Sequence, residues 1–310
     1  MNPRKAAGWL LLRCLEGTFF VYLAFLRTLP ANLFRRLAAP SLKLLVSVLI
    51  PKRRIVANLS AAFGKSYSPP TKAGLARGVQ ENFTRSLIDC FLQLADPERA
   101  RRKITIEGQG NLDAALARGS GVIALGAHIG NFVLVGTRLG MEGYPVSTLF
   151  RMPEDRRLRA LIGRYLPAFY QRVIPARPRR DAIRRIARAL KQNETVFILG
   201  DNLKKGKVES SLFGQRVHTP RGPVSLALRT GAALVPMYLV RTYGGRLRLV
   251  IEPEMLLIRN GNVYEDVTGN TRRIVGYIEG LIGRYPDQWN WLTVRMKKQP
   301  RPAARQAPVI

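Results

Sequence analysis

The stretch GVIALGAHIGNF, residues 121–132, decides the fold class of this chain. Its first half is a continuous apolar run of strand length, which is typical of a strand buried on both faces of a parallel sheet. A helix is predicted to begin near Asn131, directly after that run. His128 therefore follows the carboxyl end of a buried strand, at the edge where open α/β sheets bind their ligands.

Strands and helices alternate along the rest of the chain. Apolar runs and alternating patterns predict strands at residues 104–106, 144–150, 195–199, 233–242 and 246–253. Helical periodicity predicts helices at residues 57–95 (with a turn at 66–70), 111–116, 157–170, 181–190, 223–230 and 271–284. This alternation indicates an α/β fold, with a mixed or mostly parallel central sheet flanked by helices.

The N-terminal residues 1–56 combine apolar runs with many basic groups and a single acid, Glu16. The run at 17–26 is shorter than the roughly 20 nearly uncharged residues that a spanning helix needs. Apolar surface edged with Arg and Lys is typical of helices that anchor in an anionic membrane interface, although two ordinary core helices would show the same pattern. We therefore predict membrane-anchoring amphipathic or hydrophobic helices for residues 1–56, the α/β domain for 57–298 and a disordered tail for 299–310.

The charge of the chain indicates an anionic partner. There are 51 Lys and Arg residues against 20 Asp and Glu, a formal net charge of +31, while 46% of the residues are hydrophobic, which excludes a disordered chain. Nucleic acid, an acidic protein and a membrane surface would each fit this charge. A basic nucleic-acid-binding protein is the less favoured alternative. No nucleic-acid partner is predicted, because the arginine-rich residues 172–188 contain no aromatic side chain on which a base could stack. With two histidines and two cysteines in the chain, no metal site is predicted.

Five blocks of sequence, in order along the chain, carry a family resemblance. They are HIGNF at residues 128–132, FRMP at 150–153 with Gly163-Arg164, VFILGDN at 196–202 with LFG at 212–214 and TPRGP at 219–223, RTGAALVP at 229–236, and YPDQWNW at 285–291. Together they resemble the bacterial lysophospholipid acyltransferase superfamily and, within it, the late acyltransferases of lipid A biosynthesis. Residues 54–63 are similar to the N-terminal half of that family, so the resemblance covers almost the whole chain.

The resemblance implies transfer of a fatty acyl group from a thioester of acyl carrier protein or coenzyme A to a hydroxyl of a lipid A precursor or of another lysolipid or glycolipid. His128 would act as general base on that hydroxyl, and no metal or redox cofactor would be required. The resemblance also implies an enzyme at the cytoplasmic face of the inner membrane, with an anionic membrane lipid and the acyl carrier as partners. Residues 57–298 are then the acyltransferase domain; the acceptor, the acyl length, the donor and the oligomeric state are left open.

The same blocks imply a set of residues that contact substrate: Asn131, Arg151, Arg164, Gly214, Arg221 and Gly222. Arg151 and Arg164 are expected to contact phosphate or the acyl donor, since a guanidinium fork binds phosphate through two hydrogen bonds. The other arginines of residues 151–191 are expected to steer an acidic carrier protein or a phospholipid head group toward the site.

The chain departs from the family at one position of the histidine block. Five residues after His128, where the family has an acid, stands Val133. Asp201, which follows the predicted strand 195–199, could replace that acid, because neighbouring parallel strands end at the same edge of a sheet. Alternatively, a backbone carbonyl or a water could orient His128, or the protein could bind lipid without turnover.

Three further residues are assigned structural roles. His218 is predicted to lie in a surface loop, and Trp289 and Trp291 are predicted to pack the last helix into the core. Interfacial anchoring is the less favoured use of the two tryptophans. His128 is thereby left as the candidate base.

Overall fold

The computed structural model describes residues 29–203 and 206–294, together with Gly17, Phe20 and Val21. Its helices in chain order are α1 (Ala31–Leu49), α2 (Lys52–Phe63), α3 (Pro69–Ala95), α4 (Arg99–Lys103), α5 (Gln109–Leu116), α6 (Val133–Met141), α7 (Arg156–Tyr165), α8 (Arg179–Lys191), α9 (Gly222–Thr230) and α10 (Val263–Arg284). Its strands are β1 (Ile104–Glu107), β2 (Val122–Gly126), β3 (Val146–Phe150), β4 (Arg172–Pro175), β5 (Thr195–Leu199), β6 (Val208–Leu212), β7 (Gln215–Thr219), β8 (Ala233–Arg241) and β9 (Leu247–Ile251). The predicted tail, residues 299–310, lies outside the described residues, as do most residues before position 29.

A seven-stranded sheet forms the centre of the fold, with strand order β1-β9-β8-β2-β5-β3-β4. Neighbouring strands in it are parallel, except β8 and β9, which are antiparallel. β2 is buried along its whole length, because Ile123 and Leu125 pack in one core cluster while Val122 and Ala124 pack in another. The prediction of an α/β fold with a mostly parallel central sheet is confirmed. β6 and β7 form a separate antiparallel pair.

Two predicted helices have different ends in the structure. Residues 157–170 do not form one helix, because α7 ends at Tyr165 and Leu166–Phe169 is a 3₁₀ turn. Pro167 has no N–H to donate and so cannot continue the α-helix. α10 begins earlier than predicted, because the side chain of Asn262 caps its first turn.

Helices α1 and α2 lie next to α3, a helix of 27 residues. Phe34 and Leu42 of α1 are buried in one cluster with Ile88 and Leu92 of α3. α2 runs through position 56, so the proposed division there lies inside a helix, and the division into domains stays a prediction. In the part of the chain that the structure describes, each helix is too short or too polar to cross a membrane.

Candidate active site

His128 lies in the loop that joins β2 to α6. β2 ends at Gly126, so the imidazole follows the strand at its carboxyl edge. The loop then runs against the backbone of β8, where the N–H of Asn131 donates to the carbonyl of Leu239 at 3.0 Å. Gly130 allows this approach, because its φ is 54° and a Cβ there would lie 1.9 Å from the Leu239 oxygen.

Asp201 meets His128 from the neighbouring strand. β5 pairs with β2 in parallel, with Gly126 beside Leu199, so the residues that follow the two strand ends lie close together. Oδ1 of Asp201 lies 2.7 Å from Nδ1 of His128, and Oδ2 accepts the backbone N–H of His128 at 2.8 Å. The side chain of Asp201 is 0% exposed, whereas that of His128 is 27% exposed. A buried carboxylate therefore holds an imidazole that remains accessible from outside.

Each member of the pair alters the pKa of the other. Burial lowers the pKa of His128, but the charge and the hydrogen bond of Asp201 outweigh burial, so the pKa of His128 is raised. Burial raises the pKa of Asp201, but the charge and hydrogen bonds of His128 and a hydrogen bond from Trp289 outweigh it, so the pKa of Asp201 is lowered. Asp201 is therefore ionised at neutral pH, and His128 is a stronger base than an ordinary histidine.

Trp289 supplies a further contact to the carboxylate. Its indole N–H donates to Oδ2 of Asp201 at 2.8 Å. Trp289 and Trp291 are both 0% exposed, which confirms that they are core residues. The hydrogen bond to Asp201 was not predicted. A buried indole N–H requires an acceptor, so the prediction of a buried tryptophan already implied a hydrogen bond to some acceptor, without identifying Asp201.

Val133 occupies the position where the family has its acid. It begins α6 and is 40% exposed. Nδ1 of His128, the nitrogen that an acid would orient, is bound to Asp201. The ring of Phe132 also contacts the imidazole edge-on, with 5.0 Å between the ring centroids. Of the alternatives considered for the missing acid, the structure therefore shows the first: Asp201, a carboxylate from a distant part of the sequence, contacts His128. The catalytic role of the pair stays a proposal.

Replacing Val133 with glutamate tests whether the family position is still needed. We expect kcat/KM to stay within about threefold of wild type, the scale of an exposed charge pair, because Asp201 already occupies Nδ1. Val133→Gln is the matched control, since it has nearly the same shape without the charge. A gain of several orders of magnitude in Val133→Glu, absent from Val133→Gln, would show that Asp201 does not serve as the acid.

Asn131 is buried, and its polar atoms bond within the protein. Its Nδ2 donates to the carbonyl of Ser86 at 3.3 Å, and its Oδ1 accepts the thiol of Cys90 at 3.7 Å. Burial and the nearby Asp89 raise the pKa of Cys90 to about 12, so the thiol is neutral at neutral pH. Asn131 therefore ties the His128 loop to α3, and its contact with substrate stays a prediction.

Arg151 and Arg164 are both exposed. Arg151 directly follows β3 at the carboxyl edge of the sheet, and its guanidinium lies 4.0 Å from the carboxylate of Glu154. Arg164 lies in the last turn of α7, with its guanidinium 6.0 Å from the ring centroid of Tyr165. Both guanidinium groups are accessible to an anion, but their contact with phosphate or an acyl donor stays a prediction.

The other predicted substrate residues lie on the segment that follows Asp201. Gly214 is in the turn between β6 and β7, with φ 70°, and Arg221 and Gly222 form the start of α9. α9 ends just before β8, and β8 begins beside the start of β2. The first residues of α9 therefore lie toward the carboxyl edge of the sheet. Their contact with substrate also stays a prediction.

His218 lies on a strand, and the prediction of a loop was wrong. It is an exposed residue of β7, opposite Glu209 of β6. The hairpin of β6 and β7 was not predicted, because polar residues occupy buried positions as well as exposed ones. The alternation of apolar and polar residues that identifies a strand is therefore weak.

Fold and site together define the class of the protein. A mostly parallel α/β sheet carries a buried carboxylate and a partly exposed histidine at its carboxyl edge, an arrangement suited to removing a proton from a substrate group. The chain belongs to the bacterial lipid A biosynthesis acyltransferase family, whose model matches residues 9–298. The resemblance found in the sequence is therefore confirmed, and the protein is an acyltransferase by family.

Known relatives carry acyltransferase names as well. The chain is 25% identical over 240 residues to a phosphatidylinositol mannoside acyltransferase of Mycolicibacterium smegmatis, and the match covers 76% of each chain. It is 30% identical over 135 residues to a phosphatidylinositol mannoside acyltransferase of Mycobacterium tuberculosis, with 43% of each chain covered. Family and relatives are both named for lipids, which supports an acyltransferase that acts on lipids.

Proposed function

We propose that this protein transfers a fatty acyl group from a thioester, carried by acyl carrier protein or coenzyme A, to a hydroxyl of a membrane lipid. The observation that carries the proposal is the His128–Asp201 pair, with 2.7 Å between Nδ1 and Oδ1, in a chain of an acyltransferase family. A carboxylate at Nδ1 keeps a proton on that nitrogen, so Nε2 is the nitrogen that accepts a proton from substrate.

The proposed reaction proceeds without a covalent acyl-enzyme. Nε2 of His128 takes the proton of the acceptor hydroxyl while the hydroxyl oxygen attacks the thioester carbonyl carbon. A C–O bond forms, and the carbonyl oxygen becomes an oxyanion. When this intermediate collapses, the C–S bond breaks and the departing thiolate takes the proton from the imidazolium. Asp201 stabilises the imidazolium between the two steps.

The acceptor is proposed to be a lipid A precursor, or another lysolipid or glycolipid with an anionic head group. The family is named for lipid A and the relatives for phosphatidylinositol mannosides. Exposed arginines support an anionic ligand, since guanidinium groups bind phosphate and carboxylate strongly. They include Arg151 at the sheet edge and four residues of α8: Arg179, Arg180, Arg184 and Arg185.

Acyl transfer by the purified full chain tests this proposal. The protein would be incubated with labelled acyl-coenzyme A or labelled acyl carrier protein and with a lipid A precursor, a lysophospholipid or a phosphatidylinositol mannoside. We expect ester formation with at least one acceptor, matched by release of an equal amount of thiol. Lipid binding without ester formation from either donor would instead identify a lipid-binding homologue that has lost turnover.

We also propose that α1 rests on the cytoplasmic face of the inner membrane. Leu33, Leu37, Leu44 and Val48 are 42%, 58%, 68% and 67% exposed. They recur at helical spacing and so form one stripe, while another face of α1 packs against α3. Basic residues that are also exposed lie on α1 and at the start of α2: Arg36, Lys43, Lys52, Arg53 and Arg54. An apolar stripe with basic neighbours suits an anionic bilayer.

The double substitution Leu44→Glu with Val48→Glu is expected to weaken binding of the protein to vesicles that contain phosphatidylglycerol. The loss should be at least about tenfold, because each apolar side chain that leaves the membrane forfeits about 1.5 kcal/mol or more. Co-sedimentation of the full chain with the vesicles measures it.

The matched control is the double substitution Leu256→Glu with Ile258→Glu, which introduces the same two charges at exposed apolar positions outside α1. We expect much weaker effects there. Equal losses in both double variants would mean that net charge alone governs binding, and the proposed docking face would be wrong.

A further inference from the structure

We infer that Trp289 is a positioning residue for the His128–Asp201 pair: its indole N–H holds the carboxylate in the rotation in which Oδ1 faces the imidazole. This inference rests on the proposed function, in which the pair performs the proton transfer. Trp289 acts through Asp201, because its hydrogen bond is to the carboxylate and not to the imidazole.

The distribution of donors around Asp201 determines how its carboxylate is rotated. Oδ2 accepts the backbone N–H of His128 and the indole N–H of Trp289, each at 2.8 Å. Oδ1 is thereby left to face Nδ1 of His128 at 2.7 Å. Asp201 and Trp289 are both 0% exposed, so bulk water does not reach the carboxylate to replace the indole.

The residues on either side of Trp289 are bonded to the His128 loop. The N–H of Asn290 donates to the carbonyl of His128 at 2.9 Å. The carbonyl of Gln288 accepts the N–H of Gly130, also at 2.9 Å. The indole therefore projects from a segment that is already fixed against the loop that carries the imidazole.

Gln288 also fixes this segment to the central sheet. Its Oε1 accepts the N–H of Arg241 at 2.9 Å, and its Nε2 donates to the carbonyl of Arg241 at 2.8 Å. Arg241 ends β8, and its guanidinium pairs with the buried Asp89 of α3 at 2.6 Å. The position of the indole is thus set by the sheet and by α3, independently of Asp201, as a positioning role requires.

The titration of His128 can report on this hydrogen bond, because few other charges act on the pair. Among the residues that the structure describes, the charges found to act on His128 and Asp201 are those of the two residues themselves. Cys90 reaches the loop through Asn131, and its pKa of about 12 keeps it neutral. Asp89 is paired with Arg241, on the side of the loop where β8 ends.

Replacing Trp289 with phenylalanine tests the inference. Without the indole N–H, one of the two donors that fix Oδ2 is lost, so the carboxylate can rotate and Oδ1 no longer faces the imidazole as closely. The charge and hydrogen bond of Asp201, which raise the pKa of His128, then act less strongly. We expect the pKa of His128, measured by NMR on the imidazole nitrogens of the full chain, to fall by about half a unit to one unit. kcat/KM should fall by about tenfold or more, as expected for loss of a hydrogen bond to a charged group. The chain has two histidines, so the exposed His218 is the internal reference.

Trp291→Phe is the matched control. Trp291 is equally buried, but its indole N–H donates to the carbonyl of Pro286 at 2.7 Å. We expect it to leave the pKa of His128 unchanged. The inference is wrong if the pKa does not fall in Trp289→Phe, or if it falls equally in both variants.

If Trp289→Phe does not fold, 3-benzothienylalanine at the same position preserves the ring shape and removes only the N–H donor. The titration needs no substrate, so it tests this inference even if the proposed acyl transfer by His128 were overturned in a separate assay.

Discussion

Replacing His128 with alanine is expected to lower kcat for acyl transfer by about 10⁴-fold, the upper range of what a general base contributes. The imidazole takes the acceptor proton in the proposed reaction. Asp201 cannot take its place, because its carboxylate is 0% exposed and cannot reach a substrate. Ester formation and thiol release, followed in the same assay, measure the effect.

His218→Ala is the matched control for this variant. It removes the other histidine of the chain, from an exposed position on β7. We expect wild-type kcat. If His128→Ala retained wild-type kcat as well, the assignment of the general base would be wrong, while membership of the family would stand.

Replacing Asp201 with asparagine is expected to lower kcat by about 10⁴-fold as well, the loss that the same replacement causes in a Ser-His-Asp triad. An amide has one acceptor oxygen, and two N–H groups, from the His128 backbone and from Trp289, face the position of Oδ2. The amide oxygen should therefore take that position and turn its NH₂ toward Nδ1. Nδ1 must then accept, the ring proton moves to Nε2, and His128 can no longer take a proton from the hydroxyl.

The pH dependence of the same variant supplies a second measurement. The charge of Asp201 raises the pKa of His128, so the pKa should fall when that charge is removed. In wild type, kcat/KM is lost as the pH falls through the raised pKa of His128, because the imidazolium cannot act as a base. In Asp201→Asn the residual activity should therefore persist to lower pH.

Asp113→Asn is the matched control for Asp201→Asn. It neutralises an exposed carboxylate on α5, beside Tyr144. We expect the kcat and pH profile of wild type. A small effect of Asp201→Asn, no larger than that of Asp113→Asn, would show that the buried carboxylate has a structural role only.

The local parts of the site could be predicted from the sequence. Continuous apolar runs identified β2 and β5, because a strand buried on both faces leaves an uninterrupted apolar signal. Asp201 became the candidate acid because it follows one of these runs, as His128 follows the other.

Other elements left too weak a signal for prediction. β4 is a four-residue strand at the edge of the sheet, with Ile174 as its one buried residue. β6 and β7 are short, and polar side chains such as Ser210 and Thr219 occupy buried positions in them. The hydrogen bond of Trp289 was missed because the apolar character of an indole predicts burial but not the acceptor of its N–H.

The sequence by itself determined the α/β class, the candidate base His128 and the family resemblance, because strand periodicity and short motifs are local properties of the chain. The tertiary structure decided which side chains meet. Asp201 is 73 positions from His128, and Trp289 is 88 positions from Asp201, yet each pair is joined by a hydrogen bond. These contacts exist because β5 lies beside β2 and because residues 288–290 pack against the His128 loop. The periodicity of a single segment does not encode the order of strands in a sheet. Because Val133 stands at the family's acid position, the sequence offered Asp201 only as one of several alternatives. The contact between Asp201 and His128 could be established only from the folded chain.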